Sequence, residues 1–355
     1  LLIPSVLGAA MTRINYDILS YLPQDLDSAK GEALLEEPFH MAATTMLIVE
    51  GMPPAYTHQL QKEVEQVPGV SNAIWLSSLV GIQIPEEMLP EDIRDIFFSG
   101  DATMMIVQYE QPGASETTMK SIEQVRSLCN KNCFLAGFSV FIKDTKDLIS
   151  KEMPLYVVMA AVLSIIAMCV TMESWLLPVA LMLSIGLAIL YNFGSNILLG
   201  EISFITQAIA AVLQLGVTMD YSIFLYHRYV EEAPHYEDRR DAMAVSIVAA
   251  FKSLSGSSLT TIAGFLALCF MRLTLGRDLG LVMAKGVVLG VATVVLVLPA
   301  ILLLMDGPIR RYRHPALAPN MGRLNAFIVR HRHFFVALFF LLFFPAVYSN
   351  NHTQV

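Results

Sequence analysis

The chain has 355 residues, of which 55% are hydrophobic and 15% charged, and its mean hydropathy is +0.57. Soluble domains carry about 25% charged residues, so the composition excludes an ordinary globular protein and favours a membrane one. A net charge of −8 argues against a nucleic-acid partner, and 4 cysteines are too few for a disulfide framework.

Leu1–Met11 is an apolar run without a starting Met, and reads as the outer end of a first membrane helix rather than a signal peptide. Acidic residues then concentrate between Asp17 and Glu152, outside the apolar spans. Within that stretch Thr44–Glu50, Val70–Leu76, Thr103–Glu110 and Cys133–Gly137 carry strand patterns. Pro54–Gln66 and Ser115–Cys129 carry helical ones, with a helical insert near Pro90–Phe97. The order β-α-β-β-α-β is that of a split βαβ, ferredoxin-like unit. Cys129 and Cys133 stand four apart at a helix end, where a disulfide and two free thiols both stay open. Phe138–Lys151 is a helical lead back to the membrane.

A spanning helix needs about 18 or more mostly apolar residues. Met153–Thr171, Leu176–Phe193, Ile202–Tyr226 and Leu279–Leu304 qualify. Leu259–Leu273 is shorter, and its amphipathic extension Asp241–Ser258 is expected to lie along the membrane before the helix turns in. Phe334–Val347 opens a last span, cut short. Cys169 and Cys269, inside apolar runs, read as packing residues. Arg228, Arg239, Arg240, Arg310, Arg311, Arg313, Arg323, Arg330 and Arg332 fall on one side of these spans, Arg272 and Arg277 on the other. The richer side is cytoplasmic by the positive-inside rule. The expected organisation is therefore a first-helix end (1–11), an extracytoplasmic α/β domain (12–150), helices two to six (151–305), a cytoplasmic amphipathic linker (306–333), a seventh helix (334–348) and the start of a second outer domain (349–355).

The one ionisable residue deep in an apolar span is Asp220, in Gly216–Val217–Thr218–Met219–Asp220–Tyr221. A carboxylate in hydrocarbon costs about 2.5–3.5 kcal/mol, so it should face the bundle interior or water. Burial of a carboxylate favours its protonated form, which suits such a group to carrying a proton. A purely structural polar contact is the alternative, and Tyr221 is equally a relay hydroxyl or a packing residue. Gly216, one turn earlier on the same face, would admit a close neighbour. The fifth helix is rich in small and hydroxyl residues. Gly256, Thr260 and Gly264 form a packing seam, and Ser257, Thr260 and Thr261 are hydroxyls within plausible reach of Asp220. Lys285 is expected to snorkel from one turn inside the sixth helix, beside the packing pair Gly286 and Gly290. No P-loop, HExxH or zinc-ligand spacing is present, so neither a nucleotide, a metal nor another cofactor is expected, and the chain is not read as an enzyme. His227, His235, His314, His331 and His333 cluster near helix ends as solvated residues.

Gly216–Val217–Thr218–Met219–Asp220–Tyr221 is similar to the Gly-x-x-x-Asp-Tyr fourth helix of the MMPL-type branch of the resistance–nodulation–division (RND) superfamily. Thr260–Thr261–Ile262–Ala263–Gly264–Phe265, Arg277–Asp278–Leu279–Gly280, and Asn15–Tyr16–Asp17 with Leu22–Pro23 match in the family's order. The resemblance implies half of a transporter of about twelve helices, with a ferredoxin-like porter domain outside the cytoplasm. It implies proton-driven export of lipids, drugs or other hydrophobic or amphiphilic molecules across the inner (plasma) membrane. Asp220 would be the proton carrier and Tyr221 its partner, paired with an equivalent site in the tenth helix of a missing C-terminal half. Membrane lipids, the substrate and protons are the expected partners, with oligomerisation open. A sterol- or lipid-sensing bundle and a protein-translocation helper of the same superfamily are the alternatives.

Overall fold

A computed structural model describes residues 2–36, 43–79, 91–315 and 322–352. It begins with the apolar helix α1 (Leu2–Met11), the short strand β1 (Arg13–Asn15) and helix α2 (Asp27–Glu36). An α/β unit follows: β2 (Ala43–Glu50), α3 (Pro54–Glu65), β3 (Val70–Ile74), α4 (Leu76–Leu79), α5 (Glu91–Phe97), β4 (Phe98–Ser99), β5 (Ala102–Tyr109), α6 (Glu116–Leu128) and β6 (Cys133–Ala136). The membrane-type helices come after it: α7 (Phe138–Thr171), α8 (Leu177–Ser195), strand β7 (Glu201–Ser203), α9 (Phe204–Glu232), α10 (Arg239–Leu268), α11 (Thr274–Leu296), α12 (Leu298–Arg311), α13 (Gly322–Arg330) and α14 (Arg332–His352).

The α/β unit is built on strict alternation. In β5 every second residue is buried, and β2 repeats the pattern. Antiparallel pairing places Leu47 opposite Met105 on the buried face, and the four main strands run in the order β3-β5-β2-β6. Helices α3 and α6 bury Leu60, Val64, Ile122 and Val125 in the same core. Ser115 caps α6 by accepting from the Thr118 amide at 3.1 Å. At the exit from β6, Gly137 adopts φ +121° with β2 backbone 3.3 Å from where a Cβ would stand. That position needs a glycine, because other residues meet both strain and a clash.

Among the described residues, six helices are long and apolar enough to cross a membrane, and α1 is a shorter apolar helix. Helices α8, α9 and α11 form the centre, each with 44–50% of its most apolar window buried. Helix α10 packs on α9 and α11, and α1 packs on α8. Strand β1 pairs in parallel with β7, which ties the segment after α1 to the start of α9.

Three expectations about the spans change. Phe138–Lys151 and the second span form one 34-residue helix with Pro154 inside it. The Asp241–Ser258 segment does not turn along a surface: α10 is one continuous helix of 30 residues, about 45 Å long. The sixth span starts earlier, at Thr274, and breaks at Val297, just before the Leu298–Pro299 start of α12. A proline is well suited to a helix's first turn and poorly suited to its interior.

The two cysteines of the α/β unit are free. The Cys129 thiol donates to the Val125 carbonyl at 3.2 Å. Burial first, and the neighbouring Cys133 second, push it up to about 12 from an ordinary 9.0. Cys129 is therefore expected to alkylate far more slowly than an exposed thiol at pH 8. Because its folded value lies above its unfolded one, its contribution to stability is complete below pH 9 and declines as pH rises toward 12. Mass-spectrometric alkylation kinetics check this, and labelling at the rate of a free model thiol would contradict the burial.

Candidate functional site

Helix α9 divides its side chains sharply. Ala210, Gln214, Thr218, Tyr221, Ser222 and Leu225 are buried. Ile209, Val212, Leu213, Gly216, Asp220 and Phe224 form an exposed row on the other side. Asp220 thus stands in an open, otherwise apolar stripe, with no hydrogen bond or ion pair among the described residues. Tyr221 is the next residue, yet it is buried with Met168, Leu225 and Leu254. Successive helical residues are rotated by about 100°, so the Asp-Tyr pair cannot share a face. The structure separates the two.

The fifth-helix residues fall on α10. Gly256, Ser257, Thr260 and Gly264 are exposed, and Thr261 is half-buried. The Thr260 and Thr261 hydroxyls both donate to the Ser257 carbonyl, at 2.7 and 3.1 Å, and none of these hydroxyls bonds to Asp220. A Cβ added at Gly216, Gly256 or Gly264 would meet nothing within 4 Å. The close packing expected of these glycines is therefore not made by the described residues. It is made on α11: a Cβ at Gly280 would lie 2.5 Å from the Phe265 carbonyl oxygen, one at Gly286 2.7 Å from Asn192, and one at Gly290 2.7 Å from Thr218.

The interior holds polar groups that sequence reading passed over. Asn192 Nδ2 donates to Gln214 Oε1 at 2.8 Å, and Gln214 Nε2 donates to the Gly286 carbonyl at 3.2 Å. Lys285 is not one turn inside its helix. It sits eleven residues after Thr274, where α11 begins, and its ammonium donates to the Asn192 carbonyl at 3.0 Å and to Asn196 Oδ1 at 2.5 Å. The signal for α9 was available in the four-residue spacing of Gln214, Thr218 and Ser222, which puts three polar side chains on one face. At the start of α11, Asp278 accepts from the Ser203 amide and the Thr206 hydroxyl, each at 2.7 Å. Asp306 pairs with Arg239 and, at 3.4 Å, with Arg310, clamping α12 to the start of α10. No group of three or more metal-ligating side chains occurs among the described residues.

A multi-span helical membrane protein with an appended α/β unit and one open carboxylate on a central helix is the class these features define. Residues 51–330 match the MMPL family, and the chain belongs to it. It is 36% identical over 133 residues to the membrane protein ActII-3 of Streptomyces coelicolor, covering 37% of this chain and 19% of that one. It is 26% identical over 228 residues to the membrane protein MJ1562 of Methanocaldococcus jannaschii, covering 61% and 58%. To the mycolic acid-containing lipids exporter MmpL11 of Mycolicibacterium smegmatis it is 25% identical over 192 residues, covering 50% and 20%. The chain thus spans between about a fifth and three-fifths of the length of these relatives. Among solved structures, SecDF of Thermus thermophilus aligns with a TM-score of 0.44 and 16% identity, over 85% of this chain and 37% of that one.

The Asp278 contacts give a direct test of the junction between α9 and α11. Replacing Asp278 by Ala leaves two donors without their acceptor, at a cost of about 1.5–3 kcal/mol. Asp278→Asn keeps one acceptor oxygen and should lose less. Thermal unfolding of the two variants checks the order, and an Ala variant as stable as the parent would show that the contact holds nothing in place.

Proposed function

We propose that this chain is the N-terminal half of a proton-driven exporter of lipids, drugs or other hydrophobic or amphiphilic molecules, with Asp220 as its proton carrier. The observation that carries the reading is the lone carboxylate in the open apolar row of α9. Hydrocarbon does not tolerate such a group, so its face needs cover by protein or water. In this reading a second half supplies that cover, bringing an equivalent Asp-Tyr pair from its tenth helix. The burial of Tyr221 in its own half favours a relay that crosses between halves over one within this chain. Membership of the MMPL family and the likeness to a relative named as a lipid exporter support the substrate class.

Orientation in the membrane, which the family resemblance makes the plasma membrane, follows the arginine distribution, with 12–150 outside the cytoplasm, 151–305 spanning, 306–333 cytoplasmic, 334–348 spanning again and 349–355 entering a second outer domain. The strand order β3-β5-β2-β6 with α3 and α6 in the crossovers supports reading the α/β unit as a ferredoxin-like porter domain. Against it lies a cavity of about 360 Å³ lined by Leu19, Leu35, Met46, Phe138 and Ile142, with Asp17 and Glu32 beside them. Its apolar wall suits the hydrocarbon part of an amphiphile, and its carboxylates suit a cationic or hydroxylated head.

The test is efflux of a lipophilic fluorescent substrate from cells expressing the full-length parent. Asp220→Asn keeps size and hydrogen bonding but removes the titratable charge, and should reduce efflux at least tenfold at equal protein level. Asp220→Glu should retain part of it, and a protonophore should abolish it in the parent. Normal efflux from Asp220→Asn that the protonophore still inhibits would place the proton path elsewhere.

A further inference from the structure

The turn between α6 and β6 brings two sulfurs together. Cys129 ends α6 and Cys133 opens β6. The chain between them folds back on a hydrogen bond from the Cys133 amide to the Asn130 carbonyl at 3.2 Å. Asn130 Oδ1 accepts from the Asn132 amide at 2.8 Å and from the Cys133 thiol at 3.3 Å, which fixes the turn from inside. The sheet fixes its far end, where Cys133 stands opposite Val49 of β2. Both cysteines are half-buried and pack against the core of the α/β unit. Their side chains lie within hydrogen-bond reach of each other, and the Tyr56 hydroxyl reaches Cys133 from α3.

The two thiols are not equivalent. Cys129 holds its proton, because burial first and the neighbouring Cys133 second push it up to about 12. Its thiol also donates to the Val125 carbonyl at 3.2 Å, toward its own helix. Cys133 stands at the rim, next to the exposed Asn130, Lys131 and Asn132. Its sulfur has a thiol and a phenol beside it as hydrogen-bond donors. The thiolate is the nucleophile in thiol chemistry. Cys133 is therefore placed to meet an oxidant first, and Cys129 to follow.

We propose that Cys129 and Cys133 form a reversible dithiol–disulfide couple, in which Cys133 attacks a disulfide-bearing oxidant and Cys129 closes the intramolecular bond. In the first step the Cys133 thiolate displaces one half of the oxidant as a thiolate, leaving a mixed disulfide. In the second, Cys129 gives its proton to solvent, attacks the Cys133 sulfur and releases the other half. Both cysteine sulfurs are oxidised, the oxidant is reduced to two thiols, and the protons the cysteines lose balance those its halves take up. The new bond joins the end of α6 to the start of β6, just before Gly137 turns the chain into α7. Partial exposure of both sulfurs suits a bond that can be reduced again, since exposed disulfides are the labile ones. Where the couple operates rests on the proposed placement of 12–150 outside the cytoplasm, in a compartment where disulfides persist. The chemistry itself depends neither on that placement nor on the transported molecule.

The test uses purified full-length protein equilibrated with glutathione disulfide and glutathione, quenched in acid, alkylated and digested with trypsin. Lys131 lies between the two cysteines, so an intramolecular disulfide leaves two tryptic peptides joined to each other. That joined pair is expected to accumulate as the buffer becomes more oxidising, in a chain that stays monomeric on a non-reducing gel, and to vanish under excess glutathione. Cys129→Ser should trap a single glutathione on Cys133. Cys133→Ser should take up glutathione at Cys129 about tenfold more slowly than that. No joined pair in the parent at full oxidation overturns the couple, and this readout needs no variant. Faster uptake by Cys129 than by Cys133 in the single variants overturns the order of attack.

Discussion

Hydrocarbon offers no hydrogen bonds, and the arrangement of this chain follows from that constraint. Each polar side chain in the helical region must turn inward to another helix, reach an end, or stand on a face that something else covers. Asn192 and Gln214 take the first course by bonding to each other and to the α11 backbone. Arg239 and Asp306 take the second, pairing where α10 begins and α12 nears its end. Asp220 takes neither. Its isolation stands out against Gln214 and Ser222 of the same helix, whose side chains are hydrogen-bonded.

The segment between α1 and α2 is joined to the bundle at several points. A parallel ladder of three residues, β1 with β7, carries the chain from α1 to the head of α9. Asp278 on α11 holds that head from the other side by accepting from Ser203 and Thr206. The Thr274 hydroxyl donates to the Tyr21 carbonyl at 3.0 Å, and Arg272 pairs with Asp25. Burial, followed by the nearby Asp278 carboxylate, pushes the Tyr21 phenol up to about 12, so it stays neutral there. The starts of α9 and α11 are thereby tied to the segment that leads into the α/β unit.

Much of this was legible in the sequence, for identifiable reasons. Strict alternation in β2 and β5 fixed those strands, and apolar length fixed the spans, because both signals come from burial repeated over many residues. The three-residue strands β1 and β7 left no such signal, since their pairing is set by tertiary placement. Continuity of α10 was missed because its first half is amphipathic, and an amphipathic helix looks alike whether it lies on a surface or packs against α9. Lys285 was misplaced because α11 starts five residues before the apolar run does, at Thr274. The different faces of Asp220 and Tyr221 were implied by adjacency alone, yet a shared motif invited reading them as a contact.

The glycines divide into those packed within this chain and those with open space beside them. Gly280, Gly286 and Gly290 on α11 each stand where a Cβ would collide with the Phe265 backbone, Asn192 or Thr218, so their role is discharged within the bundle. Gly216, Gly256 and Gly264 meet nothing within 4 Å, and they lie on exposed faces of α9 and α10. Glycine in a helix costs about 1 kcal/mol relative to Ala. Three such costs on exposed faces of two adjacent helices make little sense where those faces meet only lipid. They make sense where another helix approaches closely enough to reach Asp220, since small residues are what allow backbones to meet in a membrane. In the proposed two-half reading, the open carboxylate and the unpacked glycines are two independent features, one electrostatic and one steric, that a second half would cover.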